Sequence, residues 1–205
     1  MSHAGTEDKF LKTLFPENVD GLTVLDIGCG YGATGLYIRT RTYKKGWVNL
    51  IGLDPFKEYI DLQNKMGIYD QLILGRGEEI LNHLSLKSVD ITILQHSIEH
   101  MRKKKTKYEI LSPAFKALDS LEKVTKQRII ICTPNGYTES GSLDGNEDNN
   151  HLSGWTATDF EELGYQTKIV TKNVNSRLLT LFAKLVFKLK GKRWDNEVLV
   201  AWKDI

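Results

Sequence analysis

Apolar positions along the chain follow two alternating patterns. Short, nearly unbroken apolar runs occupy residues 22–27, 47–53, 71–74, 89–94 and 128–132. Such runs read as strands buried on both faces of a parallel sheet. Between them, apolar residues recur every three or four positions, as helices require. Helices are expected over 32–44, 56–66, 78–86, 105–124 and 156–163. In the second of these, Phe56, Tyr59, Ile60 and Gln63 share one face, and Gly67 is the stop. Pro113 is tolerable in the fourth only as a kink or a new start. Strands at 165–171 and 197–202 and an amphipathic helix at 175–190 complete the pattern. Strand–helix alternation of this kind implies α/β architecture, with helices on both faces of the sheet.

Length and composition narrow the class. A chain of 205 residues, 40% hydrophobic and 26% charged, suits one globular domain over 1–205 and excludes disorder over most of its length. No apolar run reaches the roughly 18 residues of a membrane span. The first nine residues are polar, so no secretory leader is expected and the reading is cytoplasmic. Cys29 and Cys132 lie in apolar segments and read as reduced thiols. The net charge of +2 hides an uneven distribution. Residues 102–107 carry five cations, residues 176–194 carry six and no acid, and residues 138–150 carry four acids and no base.

The densest chemistry is Val24-Leu25-Asp26-Ile27-Gly28-Cys29-Gly30-Tyr31-Gly32. An apolar strand runs into three alternate glycines and then a helix. Glycine permits the tight turn and lets a ligand approach the backbone, facing the next helix's N-terminus. The following strand ends in Asp54, where a carboxylate can take both hydroxyls of a ribose. Gly30-x-Gly32-x-x-Gly35 also fits the dinucleotide fingerprint, but Asp26 ahead of the first glycine is not part of that pattern.

The run resembles the Asp-x-Gly-x-Gly-x-Gly signature of class I S-adenosylmethionine-dependent methyltransferases, in particular the ubiquinone-biosynthesis-type, type 11-like members. Ile51-Gly52-Leu53-Asp54-Pro55-Phe56 looks like that family's ribose-binding strand end. Leu74-Gly75-Arg76-Gly77-Glu78-Glu79 resembles its adenine loop, with Arg76 where the family often has an acid. Residues 88–94 followed by Ile98-Glu99-His100-Met101 look like its fourth strand and turn. The resemblance implies a Rossmann-like three-layer sandwich, with a mostly parallel seven-stranded sheet and an antiparallel last strand. It implies residues 1–20 as a helical cap closing the cofactor cleft. It implies S-adenosylmethionine as cofactor and S-adenosylhomocysteine as product. Asp26 belongs to the signature itself. Gly28, Gly30 and Tyr31 would hold the methionine portion, and Asp54 with Pro55 the ribose. Phe56 would stack near the adenine, Gly77 and Glu78 would face the base edge, and Gln95 and His96 would line the far side.

A second constellation follows the fourth strand: Gln95-His96-Ser97-Ile98-Glu99-His100. Ligands of open α/β sheets bind beyond the carboxyl ends of the strands, which places His96, Glu99 and His100 at the right end, with Asn135 and His151 from the long loop. Two readings stand. A neutral imidazole can take the acceptor's proton, with His100 and His151 as candidates and Glu99 orienting one of them. Alternatively the group binds a divalent metal. His96-x-x-Glu99-His100 and the later His151-x-x-x-Trp155-Thr156 resemble the metal site of small-RNA 2′-O-methyltransferases, with His96 where those begin with Glu.

Residues 134–154 form a long acidic loop, of a length that is usually functional or mobile and is suited to a substrate lid. The basic run at 102–107 would draw an anionic acceptor, whether a small molecule, a glycan, a lipid-linked group or a nucleic acid. Within residues 175–192, Leu178, Leu181, Phe182, Leu185, Val186 and Leu189 share a face opposite Arg177, Lys184 and Lys188. Core packing, dimerisation and peripheral membrane contact all fit that helix. A non-catalytic binding or scaffold protein that keeps the fold is the reading from another class. The intact glycine motif with Asp26 and Asp54 argues against it.

Overall fold

The computed structural model describes residues 7–103, 112–141, 145–171 and 197–205. Strands β1 (Thr23–Ile27), β2 (Asn49–Asp54), β3 (Gln71–Leu74), β4 (Val89–Gln95), β5 (Thr125–Pro134), β6 (Gln166–Thr171) and β7 (Glu197–Asp204) form one sheet in the order β3-β2-β1-β4-β5-β7-β6. β1 to β5 pair in parallel, and β7 runs antiparallel to both β5 and β6. This is the Rossmann-like sandwich with an antiparallel last strand that the motif implied.

The two-residue alternation of each strand divides the core between the faces. Leu25, Ile27, Ile51, Leu53, Leu94, Ile129 and Ile131 face one way. There they pack on α4 (Pro113–Val124) and α5 (Ala157–Glu161) through Leu118, Leu121 and Phe160. Val24, Leu50, Ile91, Ile93, Ile130 and Cys132 face the other way, against Leu11 and Leu14 of α1 (Glu7–Leu14), Ile38 of α2 (Ala33–Thr42) and Ile60 of α3 (Lys57–Met66). Cys29 and Cys132 are both buried.

Local chemistry sets the element ends. Gly67 stops α3 at φ 64°, and its N–H bonds the Gln63 carbonyl. Pro113 opens α4 in the first turn, where its missing N–H costs no helical bond. The new start is therefore the outcome, and residues 105–111 of the expected longer helix lie outside the described residues. Residues 78–86 do not form an α-helix; a 3-10 helix spans Gly77–Asn82, where only Gly77 and Ile80 are buried. That apolar contact is too sparse to hold a longer helix.

The N-terminal segment differs from expectation. α1 buries Leu11 and Leu14, Phe10 packs edge-on against Trp202 at 5.4 Å, and Arg128 Nη1 donates to the Leu14 carbonyl at 2.7 Å. Its apolar face is committed to the start of β5 and the end of β7, away from the ends of β1 and β2 that carry the glycine turn. Among the described residues, α1 does not close a cofactor cleft. The helix expected over 175–190 lies outside the described residues. No described helix is long and apolar enough to cross a membrane.

Candidate active site

The glycine turn is built by contacts that demand its composition. Gly28 sits at φ 75°, and a Cβ there would stand 2.6 Å from Ser97 Cβ. Ser97 Oγ donates to the Ile27 carbonyl at 2.8 Å, so the turn after β4 presses directly on the turn after β1. The Gly28 and Cys29 N–H groups donate to the Leu53 carbonyl at 2.8 and 3.0 Å. Gln63, wholly buried, donates from Nε2 to the Gly30 carbonyl at 3.1 Å and fills the space a side chain at Gly32 would need.

Asp54 ends β2 with its carboxylate held by two backbone amides. Gly30 N–H bonds Oδ2 and Phe56 N–H bonds Oδ1, each at 2.9 Å. Burial raises its pKa above the ordinary carboxylate value, against the lowering effect of those amides. Each oxygen keeps a further lone pair for a ligand hydroxyl.

Two neighbouring cavities open at this end of the sheet. The smaller, about 110 Å³, is lined by Ile27, Leu53, Asp54, Pro55, Gly77 and Glu78, with Met101 alongside. The larger, about 570 Å³, is lined by Gly30, Tyr31, Gln95, Glu99 and His151, with Cys29 and Thr34 beside them. Gly28, Tyr59, His96, His100 and Asn149 line both. Asp26 and Phe56 line neither. Asp26 lies beneath the glycine turn, wholly buried, and accepts from the Tyr69 hydroxyl at 2.6 Å. Phe56 contributes its amide to Asp54 and its ring edge to Tyr59, 4.9 Å away.

Tyr59 was legible only as a core position of an amphipathic helix, yet it borders both cavities. Asn149 carried no motif, and Met101 only closed the Ile98-Glu99-His100-Met101 turn. Arg76, the departure from the family pattern, pairs at 3.0 Å with Asp148 of the acidic loop.

At the far end stand the imidazoles. His100 Nδ1 lies 3.1 Å from the Asn150 carbonyl, and His151 Nδ1 lies 2.8 Å from the Thr138 carbonyl. A carbonyl only accepts, so Nδ1 is the donor in each ring, and Nε2 is the nitrogen that accepts when the ring is neutral. The two rings meet edge to face at 4.9 Å. Glu99 does not orient either ring by a direct bond. Its Oε1 takes His96 Nδ1 at 3.3 Å and its Oε2 takes the Thr133 hydroxyl at 3.0 Å. Burial acts to raise its pKa, but the His96 bond and the neighbouring imidazoles outweigh it, so the carboxyl lies below its ordinary value. His96 itself holds φ 55°, a strained backbone for a non-glycine residue. Glu99, His100 and His151 each offer a ligand atom, and these atoms lie within 4.8 Å of one another. One carboxylate and two imidazoles are a donor set that fits a divalent transition-metal ion.

Of the basic run, Arg102 and Lys103 lie within the described residues. Lys103 is turned inward, its side chain 7% exposed, with Nζ 2.7 Å from Asp159 and 4.2 Å from the Trp155 ring centre. No described residue lining the larger cavity is a lysine or arginine.

The fold and motifs have counterparts. No curated protein matches the chain by sequence. Among solved structures, a SAM-dependent methyltransferase from Archaeoglobus fulgidus is 20% identical, with TM-score 0.59, over 97% of this chain and 93% of that one. An S-adenosylmethionine-dependent methyltransferase from Mesorhizobium loti is 13% identical, with TM-score 0.59, over 98% and 99%. The plantazolicin methyltransferase BpumL in complex with SAH is 19% identical, with TM-score 0.56, over 96% and 81%. At these identities the likeness is one of fold. Residues 25–127, just over half of the 205, match the family described as "Methyltransferase domain". That stretch contains the glycine turn, Asp54, the Gly77–Glu78 pair and the Glu99–His100 turn, and the chain belongs to this family as an S-adenosylmethionine-dependent methyltransferase.

Proposed function

We propose that the chain transfers the cofactor's methyl group to an oxygen or nitrogen of a small-molecule acceptor in the larger cavity. The adenosyl group would occupy the smaller cavity, its ribose on Asp54 and its base edge at Gly77 and Glu78. The methionine portion would follow Gly28, Gly30 and Tyr31 into the larger one. The observation that carries this reading is the imidazole pair. His100 and His151 have Nδ1 fixed by backbone carbonyls and Nε2 as the accepting nitrogen of the neutral ring, beside the cavity that neighbours the cofactor site. S-adenosylmethionine, when bound, would supply an activated methyl group to an acceptor lone pair, its sulfur keeping the bond's electrons, and Nε2 of His100 or His151 would take the acceptor's proton. Alignment supplies most of the rate, since the donor is already activated.

The test is a screen of hydroxyl- and amine-bearing acceptors with labelled cofactor, repeated with His100→Asn and His151→Asn. The base should cost about 10²–10⁴-fold in kcat when removed, with cofactor affinity kept. Equal turnover in both variants would refute the base assignment. An anionic acceptor, a nucleic acid or a membrane-bound one would draw on residues 104–107 and 175–192, which lie outside the described residues.

A second reading rests on the 4.8 Å grouping of Glu99, His100 and His151. A divalent ion held there would supply Lewis acidity that lowers the pKa of an acceptor hydroxyl. Turnover abolished by chelator and restored by added metal would favour it over the base.

A further inference from the structure

Residues 146–149 of the acidic loop border the smaller cavity. The loop's 3-10 helix, Glu147–Asn149, brings Asp148 Oδ1 and Oδ2 to 3.0 and 3.3 Å from Arg76 Nη2. Asn149 Nδ2 donates to the Tyr59 hydroxyl at 3.0 Å. Asn146 is buried, and its Oδ1 caps the short helix by accepting from Asp148 N–H at 2.9 Å. All five residues line the smaller cavity, together with Asp54 and Gly77. Two fastenings thus run across it. One ties the loop to the segment after β3, and the other ties it to α3.

The Arg76 and Asp148 side chains are 51% and 38% exposed. A pair so exposed shifts a folding equilibrium by no more than about fivefold. Its position gives it a different use. Arg76 is the residue next to Gly77, in the loop expected to meet the adenine, and Asp148 reaches it from a loop expected to cover the acceptor.

We infer that Arg76 and Asp148 are positioning residues for the cofactor: their ion pair latches residues 146–149 over the bound adenosyl group. Asn149 on Tyr59 is the second fastening, and the cofactor leaves when the latch opens. The inference rests on the placement of the adenosyl group in the smaller cavity.

The test follows S-adenosylhomocysteine binding to the full chain by stopped-flow and calorimetry, with Arg76→Ala, Asp148→Ala, the double variant and the charge swap R76D/D148R. Each single variant should speed dissociation measurably, by up to the about fivefold that an exposed pair can supply, with association and the ligand-free melting temperature unchanged. The double variant should be no worse than either single one, and the swap should recover slow dissociation. A purely structural role would instead move the melting temperature. Singles that dissociate faster without recovery in the swap would overturn the latch in favour of direct contacts to the cofactor. Asp54→Ala separates the remaining cases. If it weakens binding while the Arg76 and Asp148 variants bind as wild type, the latch alone is wrong. If it too binds as wild type, the adenosyl placement is wrong and the latch falls with it.

Discussion

The Tyr69 hydroxyl donates a 2.6 Å hydrogen bond to Asp26 Oδ2 beneath the glycine turn. The Tyr69 ring occupies the space left by two glycines, since a Cβ at Gly35 or Gly52 would stand 2.5 or 2.9 Å from it. Asp26 Oδ1 has no partner among the described residues. Burial pushes the Asp26 carboxyl up from 3.8 to about 7, with Tyr69 pulling it down and Asp54 adding to the rise. Between those two values the folded chain binds a proton that the unfolded chain has lost. The Asp26 contribution to stability therefore falls as pH rises from about 4 to about 7, and is constant above.

Asp26→Asn removes that titration. Its stability relative to wild type should rise across the window, by up to about 4 kcal/mol. Tyr69→Phe should widen the wild-type loss, because the phenol is the one neighbour that favours the charged form. Urea unfolding at pH 4.5 and 7.5 measures both. A pH-independent gap between wild type and Asp26→Asn would contradict the assignment.

Gly28→Ala should damage both fold and binding. The left-handed backbone alone costs a side chain about 1–3 kcal/mol, and the new methyl would also press on Ser97. Gly21 has a similar φ of 73° with nothing within 4 Å, so Gly21→Ala isolates the backbone cost. Denaturant midpoints should fall further for Gly28→Ala, and only that variant should lose S-adenosylhomocysteine binding.

Lys103→Met should destabilise the chain without touching the cofactor. The ion pair with Asp159, worth about 1.5–3 kcal/mol as a charged hydrogen bond, is lost, and with it the contact of the ammonium with the Trp155 ring. Burial opposes ionisation of Asp159, yet Lys103 and Thr156 hold its carboxyl at about 2. The pair's contribution is complete above the ordinary 3.8 and is lost as pH falls towards 2. Thermal unfolding between pH 2 and 6 should show a smaller acid dependence in the variant than in wild type.

Much of this was legible because strand burial and glycine chemistry act locally. The nearly unbroken apolar run at 22–27 feeds the cores on both faces of the sheet, and Gly67 and Pro113 mark the end of α3 and the start of α4 by backbone geometry alone. β5 begins three residues earlier than its apolar run, because Thr125 pairs with the buried Thr92 hydroxyl while Lys126 and Gln127 face solvent. No periodicity announces that. Tyr59 looked like core packing because helical spacing does not distinguish a residue under the sheet from one beside a cavity. The Arg76–Asp148 pair joins residues 72 positions apart, a proximity only the folded chain creates. The helix at 175–192 and its partners stay an expectation from sequence.

The most direct test of the central claim is calorimetric titration of the purified chain with S-adenosylhomocysteine, for wild type and for Asp54→Asn. Wild type should show saturable one-site binding. The variant should bind about 10–100-fold more weakly, as the ribose hydroxyls lose a charged acceptor. A folded wild type that does not bind, or a variant that binds as tightly as wild type, would contradict the cofactor site described at the ends of β1 and β2.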